Sequence, residues 1–202
     1  RDVDGDGDSD LIRKGNNGYA NVFVVDRNIG SGQMEEILYQ GVLFTDFAFE
    51  DINNDGLGDY IFAQADRLMH RSNSGSGTFS FITDIYTYSS NQVTSKIQVA
   101  DFNNDGHLDI LNSYDEYYED TIFLHVNDGS GNFTQLYSPL LFDVHVEEWD
   151  IGDLNGDGFL DFVAFEDDGV VQYPVLKAYY NDGTGVFTSS VNISSPFDMF
   201  GD

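Results

Sequence analysis

One nine-residue pattern, Asp-x-Asx-x-Asp-Gly-x-x-Asp, occurs four times in this 202-residue chain: DVDGDGDSD at 2–10, DINNDGLGD at 51–59, DFNNDGHLD at 101–109 and DLNGDGFLD at 153–161. The starting aspartates lie 49, 50 and 52 positions apart. A period near 50 means one supersecondary unit repeated, each copy burying its apolar face against its neighbours. A second signal keeps step with the first. Gly30-Ser31-Gly32, Gly75-Ser76-Gly77, Gly129-Ser130-Gly131 and Gly183-Thr184-Gly185 each fall 24 to 30 residues after a motif start, and three of them are followed by Phe79, Phe133 and Phe187.

Between these markers the chain has the pattern of short β-strands. Apolar residues largely alternate before the second, third and fourth motifs, as in Val42–Phe49, Lys96–Ala100 and Val144–Trp149, and an apolar run follows each motif. Further strands flank each Gly-x-Gly turn, where Asn127-Asp128-Gly129 and Asn181-Asp182-Gly183 carry residues that tolerate positive φ. No ten-residue stretch has helical periodicity. The expected fold class is therefore all-β, a β-propeller of four-stranded antiparallel blades. The repeat units are 1–41, 42–92, 93–142 and 143–196, with 197–202 starting or closing another blade. The four repeats form either a closed four-bladed ring or, the favoured expectation, part of a larger propeller.

Positions 1, 3, 5 and 9 of each nonapeptide carry oxygen-bearing side chains, and position 6 is Gly. A loop curled round an ion turns alternate side chains inward, and Gly permits the sharp turn midway. The expected ligands are Asp2, Asp4, Asp6 and Asp10; Asp51, Asn53, Asp55 and Asp59; Asp101, Asn103, Asp105 and Asp109; and Asp153, Asn155, Asp157 and Asp161. Position 7 would add a backbone carbonyl, from Asp8, Leu57, His107 and Phe159, leaving its side chain free to vary. An all-oxygen set suits Ca²⁺ better than Zn²⁺, which prefers His and Cys, or Mg²⁺, which usually keeps several waters. The alternative is an Asx-rich solvated turn without an ion. Four copies favour the cation, because carboxylates converging in one small loop repel each other unless one is present. One Ca²⁺ per loop, four in all, is expected, with tighter binding at the first loop, which has Asp at position 3 and also Asp8. An EF-hand needs a bidentate Glu at position 12, where this chain has Arg13, Phe62, Asn112 and Ala164.

On these residues, with Val99-Ala100-Asp101-Phe102-Asn103-Asn104-Asp105-Gly106 and Asn181-Asp182-Gly183-Thr184-Gly185-Val186-Phe187, the chain resembles the FG-GAP or VCBS repeat family over essentially its whole length. That family includes the calcium-binding propellers of integrin α-subunits. The resemblance implies that each loop joins the first and second strands of a blade. It also implies rings of about seven blades, and that related propellers form the bodies of some lectins and polysaccharide lyases.

Charge and composition narrow the function. Asp and Glu number 36 against 8 Lys and Arg, a formal net charge of -28, which disfavours nucleic acid and anionic membrane surfaces as partners. With 41% hydrophobic and 15% aromatic residues the chain has material for a core, and no apolar run is long enough to span a bilayer. It begins without Met or an apolar leader, as expected of a processed product or a fragment. The four His residues have no partnering nucleophile motif, and none of the common catalytic signatures occurs. Tyr114, Tyr117 and Tyr118, in a segment dense in carboxylates, are candidates for contacting a ligand. The expectation is a non-catalytic, extracellular or cell-surface binding or adhesion module for a glycan or protein. The alternative is a lectin-like propeller or the catalytic body of a polysaccharide lyase or hydrolase.

Overall fold

Sixteen strands make up the regular structure of the described residues, and none of these residues is helical. The structure, a computed structural model, describes residues 2–16, 21–41, 44–64, 66–75, 78–80, 83–87, 93–115, 120–136, 140–142, 145–167 and 175–193. Among the described residues, no helix is long and apolar enough to cross a membrane.

The strands fall into four antiparallel meanders. The first sheet contains β1 (Leu11–Asn16), β2 (Asn21–Asn28) and β3 (Met34–Gly41) in that order. The second contains β4 (Asp46–Glu50), β5 (Asp59–Gln64), β6 (Arg67–Arg71) and β7 (Thr83–Thr87). The third orders β8 (Val93–Ala100), β9 (Asp109–Asp115), β10 (Asp120–Asn127) and β11 (Phe133–Gln135), with β12 (Leu140–Phe142) also pairing with β10. The fourth contains β13 (His145–Gly152), β14 (Asp161–Asp167), β15 (Val175–Asn181) and β16 (Phe187–Asn192). The expectation of four strands per unit holds for the second and fourth sheets. The first has three, and in the third the outermost strand is split, β11 and β12 pairing with opposite ends of β10.

The second, third and fourth nonapeptides each enter where a ladder ends. The second loop leaves β4 and returns as β5 at the pair Glu50↔Asp59, and the fourth does the same at Gly152↔Asp161. The third runs between β8 and β9. Position 9 of these three nonapeptides is thus the first residue of the second strand, and in the first nonapeptide it directly precedes β1.

The chain divides into two compact units, Arg1–Ile97 with Gly129–Asn132, and Gln98–Asp128 with Phe133–Asp202. Each has its own core. In the first, Val3, Phe23, Val25, Phe44, Phe49, Tyr60, Phe62 and Met69 are buried together, and the Phe23 ring meets Tyr60 edge-on at 4.1 Å. In the second, Phe102, Leu111, Ile122, Leu124, Trp149, Phe162 and Tyr179 are buried together, with the Phe162 and Tyr179 rings stacked at 4.5 Å. The Phe that follows a Gly-x-Gly turn packs on the aromatic residue that follows position 9: Phe79 on Tyr60 at 4.4 Å and Phe187 on Phe162 at 5.1 Å. The two sequence signals therefore meet in the core of the second and fourth sheets, whereas Leu11 and Met34, which hold these places in the first, are exposed.

Candidate metal centres

The four loops wind round their own side chains in the same order. Position 1 accepts from the position-6 glycine: Gly7, Gly56, Gly106 and Gly158 donate their N–H to Oδ2 of Asp2, Asp51, Asp101 and Asp153 at 2.9, 2.9, 2.9 and 3.0 Å. Position 3 accepts from position 5, with Asp6, Asp55, Asp105 and Asp157 donating to Oδ1 of Asp4, Asn53, Asn103 and Asn155 at 3.3, 3.0, 2.9 and 2.9 Å. Position 5 accepts from position 7, with Asp8, Leu57, His107 and Phe159 donating to Oδ1 of Asp6, Asp55, Asp105 and Asp157 at 2.8 to 2.9 Å. A turn this tight needs left-handed backbone twice. Position 6 has φ of 87° to 92° in all four copies, and position 4 has φ of 78°, 58°, 59° and 80° at Gly5, Asn54, Asn104 and Gly156. Gly and Asn are the residues that take this conformation most readily. Position 4 is the part of the pattern that ligand spacing alone does not register.

Position 9 has a further role. Asp10, Asp59, Asp109 and Asp161 are buried, and their Oδ1 atoms accept the backbone N–H of Asn28, Asn73, Asn127 and Asn181, at the end of or just beyond the third strand, at 2.7, 2.7, 2.9 and 2.9 Å. The Oδ2 atoms of Asp10, Asp109 and Asp161 accept the N–H of position 2, from Val3, Phe102 and Leu154, at 2.6, 3.1 and 3.0 Å. This carboxylate brackets the loop to the third strand. Burial pushes Asp59 and Asp109 up to about 6, against the pull of these amides, and the neighbouring carboxylates of positions 5 and 1 add to the rise. A cation in the loop would reverse that repulsion.

The donor set fits a hard cation. All side-chain donors are oxygens, and Asp2, Asp4 and Asp10 each offer a carboxylate oxygen within 4.8 Å of the others. The first loop differs from the expectation of extra charge, because Arg27 Nη1 lies 3.4 Å from Asp4 Oδ2 and offsets the additional carboxylate at position 3. Position 7 is also less free than its variability suggests. A Cβ on Gly75 would lie 3.0 Å from Leu57 Cδ1, and one on Gly183 only 2.7 Å from Phe159 Cζ, so the first glycine of the hairpin receives the position-7 side chain of its own blade.

The aromatic candidates separate. Tyr114 is 2% exposed within β9, its ring 6.0 Å from that of Phe123, and is a core residue with no surface to offer a ligand. Tyr117 and Tyr118 lie outside the described residues. His125 is also interior: its Nε2 is 2.9 Å from Asn112 Oδ1, and burial pushes the ring down to about 4. A depressed histidine contributes stability that is complete above its ordinary value near 6.5 and is lost as pH falls toward 4. The stability difference between wild type and His125→Asn, measured by urea unfolding, is therefore expected to shift against the wild type by about 3 kcal/mol between pH 7 and pH 4.

Residues 51–112 match the FG-GAP-like repeat family. No curated protein matches the sequence. Among solved structures, that of an Agrocybe aegerita lectin, described as the structural basis of specific recognition of non-reducing terminal N-acetylglucosamine, aligns over 98% of this chain at 16% identity with a TM-score of 0.42. The chain spans 65% of the length of that protein. With its second and third loops wound as described and carried on blade-like antiparallel sheets, the chain contains an FG-GAP-like repeat at residues 51–112.

Proposed function

We propose that the chain is a calcium-binding module without catalytic activity, whose blades, held rigid by ions in the four loops, present binding surfaces to a glycan or protein outside the cell. The observation that carries this reading is the fourfold recurrence of one loop geometry, in which positions 1, 3 and 5 each cap a backbone amide while oxygen donors converge, as at Asp2, Asp4 and Asp10. Calcium would supply the positive charge that lets these carboxylates share a small volume. Millimolar calcium, the extracellular level, fills even weak sites of this type.

The test is a calcium titration by calorimetry on protein stripped of metal. One ion per loop, four per chain, is expected, and an absence of binding at millimolar calcium sinks the proposal. Incubation with uronic-acid polysaccharides tests the non-catalytic part. Appearance of unsaturated product would replace that part of the reading with a lyase.

A further inference from the structure

Of the four nonapeptides, only the fourth has Asn at position 3 followed by Gly at position 4, in Asp153-Leu154-Asn155-Gly156-Asp157. The first has Asp4-Gly5 at these places, and the second and third have Asn53-Asn54 and Asn103-Asn104. The side-chain amide of an Asn is open to attack by the backbone nitrogen of the next residue. A Cβ on that residue crowds the approach, and glycine has none.

The fourth loop also positions the groups that such an attack needs. Gly156 N–H, the nucleophile, donates to Asp153 Oδ1 at 2.7 Å, the distance over which a carboxylate acts as a general base. Asn155 Oδ1, where negative charge would develop, accepts the backbone N–H of Asp157 at 2.9 Å, a donor placed as in an oxyanion hole. That N–H is shared with Asp153 Oδ1 at 3.2 Å. Asn155 Nδ2, the nitrogen that would depart, is held by Asp157 Oδ2 at 2.8 Å. Position 4 is exposed in all four loops, including the three whose position 2 is buried, so water reaches this step whatever lies over Leu154.

We propose that Asn155 is a site of self-assisted deamidation, open while the fourth loop holds no cation and closed when it holds one. Gly156 N bonds to Asn155 Cγ as Asp153 Oδ1 takes the N–H proton. The tetrahedral carbon then expels ammonia, which carries that proton away, and a succinimide ring joins the two residues. Water opens the ring at either carbonyl to leave aspartate or isoaspartate, so the sum is one water consumed and one ammonia released. Aspartate gives this loop the Asp-Gly of the first loop, but with Tyr180 in the place of Arg27, which lies beside Asp4. Isoaspartate adds a methylene to the backbone between positions 3 and 4 and breaks the spacing of the oxygens. Closure by the cation rests on the calcium reading above. As ligands, Asp153 is no longer a base and Asn155 Oδ1 stays turned to the ion, whereas attack on Cγ swings it away.

The purified chain is held at neutral pH below its melting temperature, in excess Ca²⁺ or in EGTA, and followed by peptide mass spectrometry with an isoaspartate-specific methylation assay. Asn17-Gly18, the other Asn-Gly of the chain, lies in no nonapeptide and outside the described residues, and is the internal reference. Deamidation of Asn155 is expected to be about a hundredfold slower when calcium stands at a hundred times its dissociation constant, since only ion-free loops react, while Asn17 reacts alike in both samples. In EGTA the rate at Asn17 should rise in proportion to hydroxide, and that at Asn155 much less, between about pH 6 and 8, because its base is built in. Asp153→Asn, checked for folding by circular dichroism, should slow Asn155 by at least about a hundredfold in EGTA and leave Asn17 unchanged. Gly156→Asn, which supplies the position-4 residue of the second and third loops, should also suppress the reaction at Asn155. An Asn155 that survives in EGTA while Asn17 is consumed overturns the inference, as does a rate at Asn155 that follows hydroxide as Asn17 does. Equal rates with and without calcium overturn it too, and calorimetry on the same samples separates the causes. Calcium bound leaves the proposed function standing, and no calcium bound sinks both.

Discussion

Stripping calcium with EGTA is expected to lower the melting temperature by at least about 15 °C, and excess Ca²⁺ to restore it, as a ligand that binds only the folded state requires. Each loop filled at a hundred times its dissociation constant adds about 2.7 kcal/mol to the folded state. Each compact unit carries two loops, and in a domain of roughly 100 residues each kcal/mol moves the midpoint by about 4–8 °C. Without the ion the loops remain tied by backbone bonds, since the amides at positions 5, 6 and 7 already have acceptors. What the folded state then keeps is carboxylate repulsion, as at Asp2, Asp4 and Asp10, whose oxygens lie within 4.8 Å of one another. The unfolded chain relieves that repulsion by separating them. Mg²⁺ should restore less of the melt, because it gives up its water reluctantly and demands stricter geometry. A scan in which EGTA leaves the midpoint unchanged would refute the calcium assignment. Differential scanning calorimetry decides it, and can also report whether the two units melt together.

The loops were legible in the sequence because their chemistry is local: alternate oxygens, a Gly at position 6, and four copies at nearly one spacing. Strand positions were legible for the same reason, since an apolar alternation is a property of a few consecutive residues. The bracketing by position 9 was not. A carboxylate directed inward to accept backbone amides and one directed inward to bind an ion have the same residue type at the same place. Its partners Asn28, Asn73, Asn127 and Asn181 follow it by 18, 14, 18 and 20 residues, an irregular interval because the intervening strands and turns differ in length. In the sequence Asn127-Asp128-Gly129 and Asn181-Asp182-Gly183 look only like turns. Tyr114 was misplaced for a related reason: composition marks an aromatic-rich segment, but the pleat decides that Tyr114 points into the blade. The role of position 7 was hidden too, because Leu57 and Phe159 pack against glycines 18 and 24 residues away, a contact that exists only once the hairpin has formed.

Replacing Asp109 with Ala is expected to destabilise the second unit whether or not calcium is present, whereas replacing Asp105 with Ala should do so only when calcium is bound. Asp109 is fully buried, with Oδ1 accepting from Asn127 at 2.9 Å and Oδ2 from Phe102 at 3.1 Å. Alanine leaves both amides buried without an acceptor, at about 1–3 kcal/mol each. Loss of the desolvated charge offsets part of that, so a net cost of about 2–4 kcal/mol is expected in EGTA. Asp105 instead sits exposed and accepts from His107 within its own loop, an amide that water can serve when the carboxylate is gone. Its contribution in EGTA should be within about 0.5 kcal/mol, as for surface substitutions generally. The pH dependence gives a second handle on Asp109. Its carboxyl is raised to about 6, above the ordinary carboxylate value, so its contribution is complete at low pH and is lost as pH rises through about 6. In EGTA, the component of the pH profile that Asp109 supplies should therefore disappear in Asp109→Ala, while Asp105→Ala keeps it. Urea unfolding of the three proteins with and without calcium makes the comparison. If the cost of Asp109→Ala vanishes in EGTA, position 9 is a ligand alone and the loop is held to its blade by something other than this bracket.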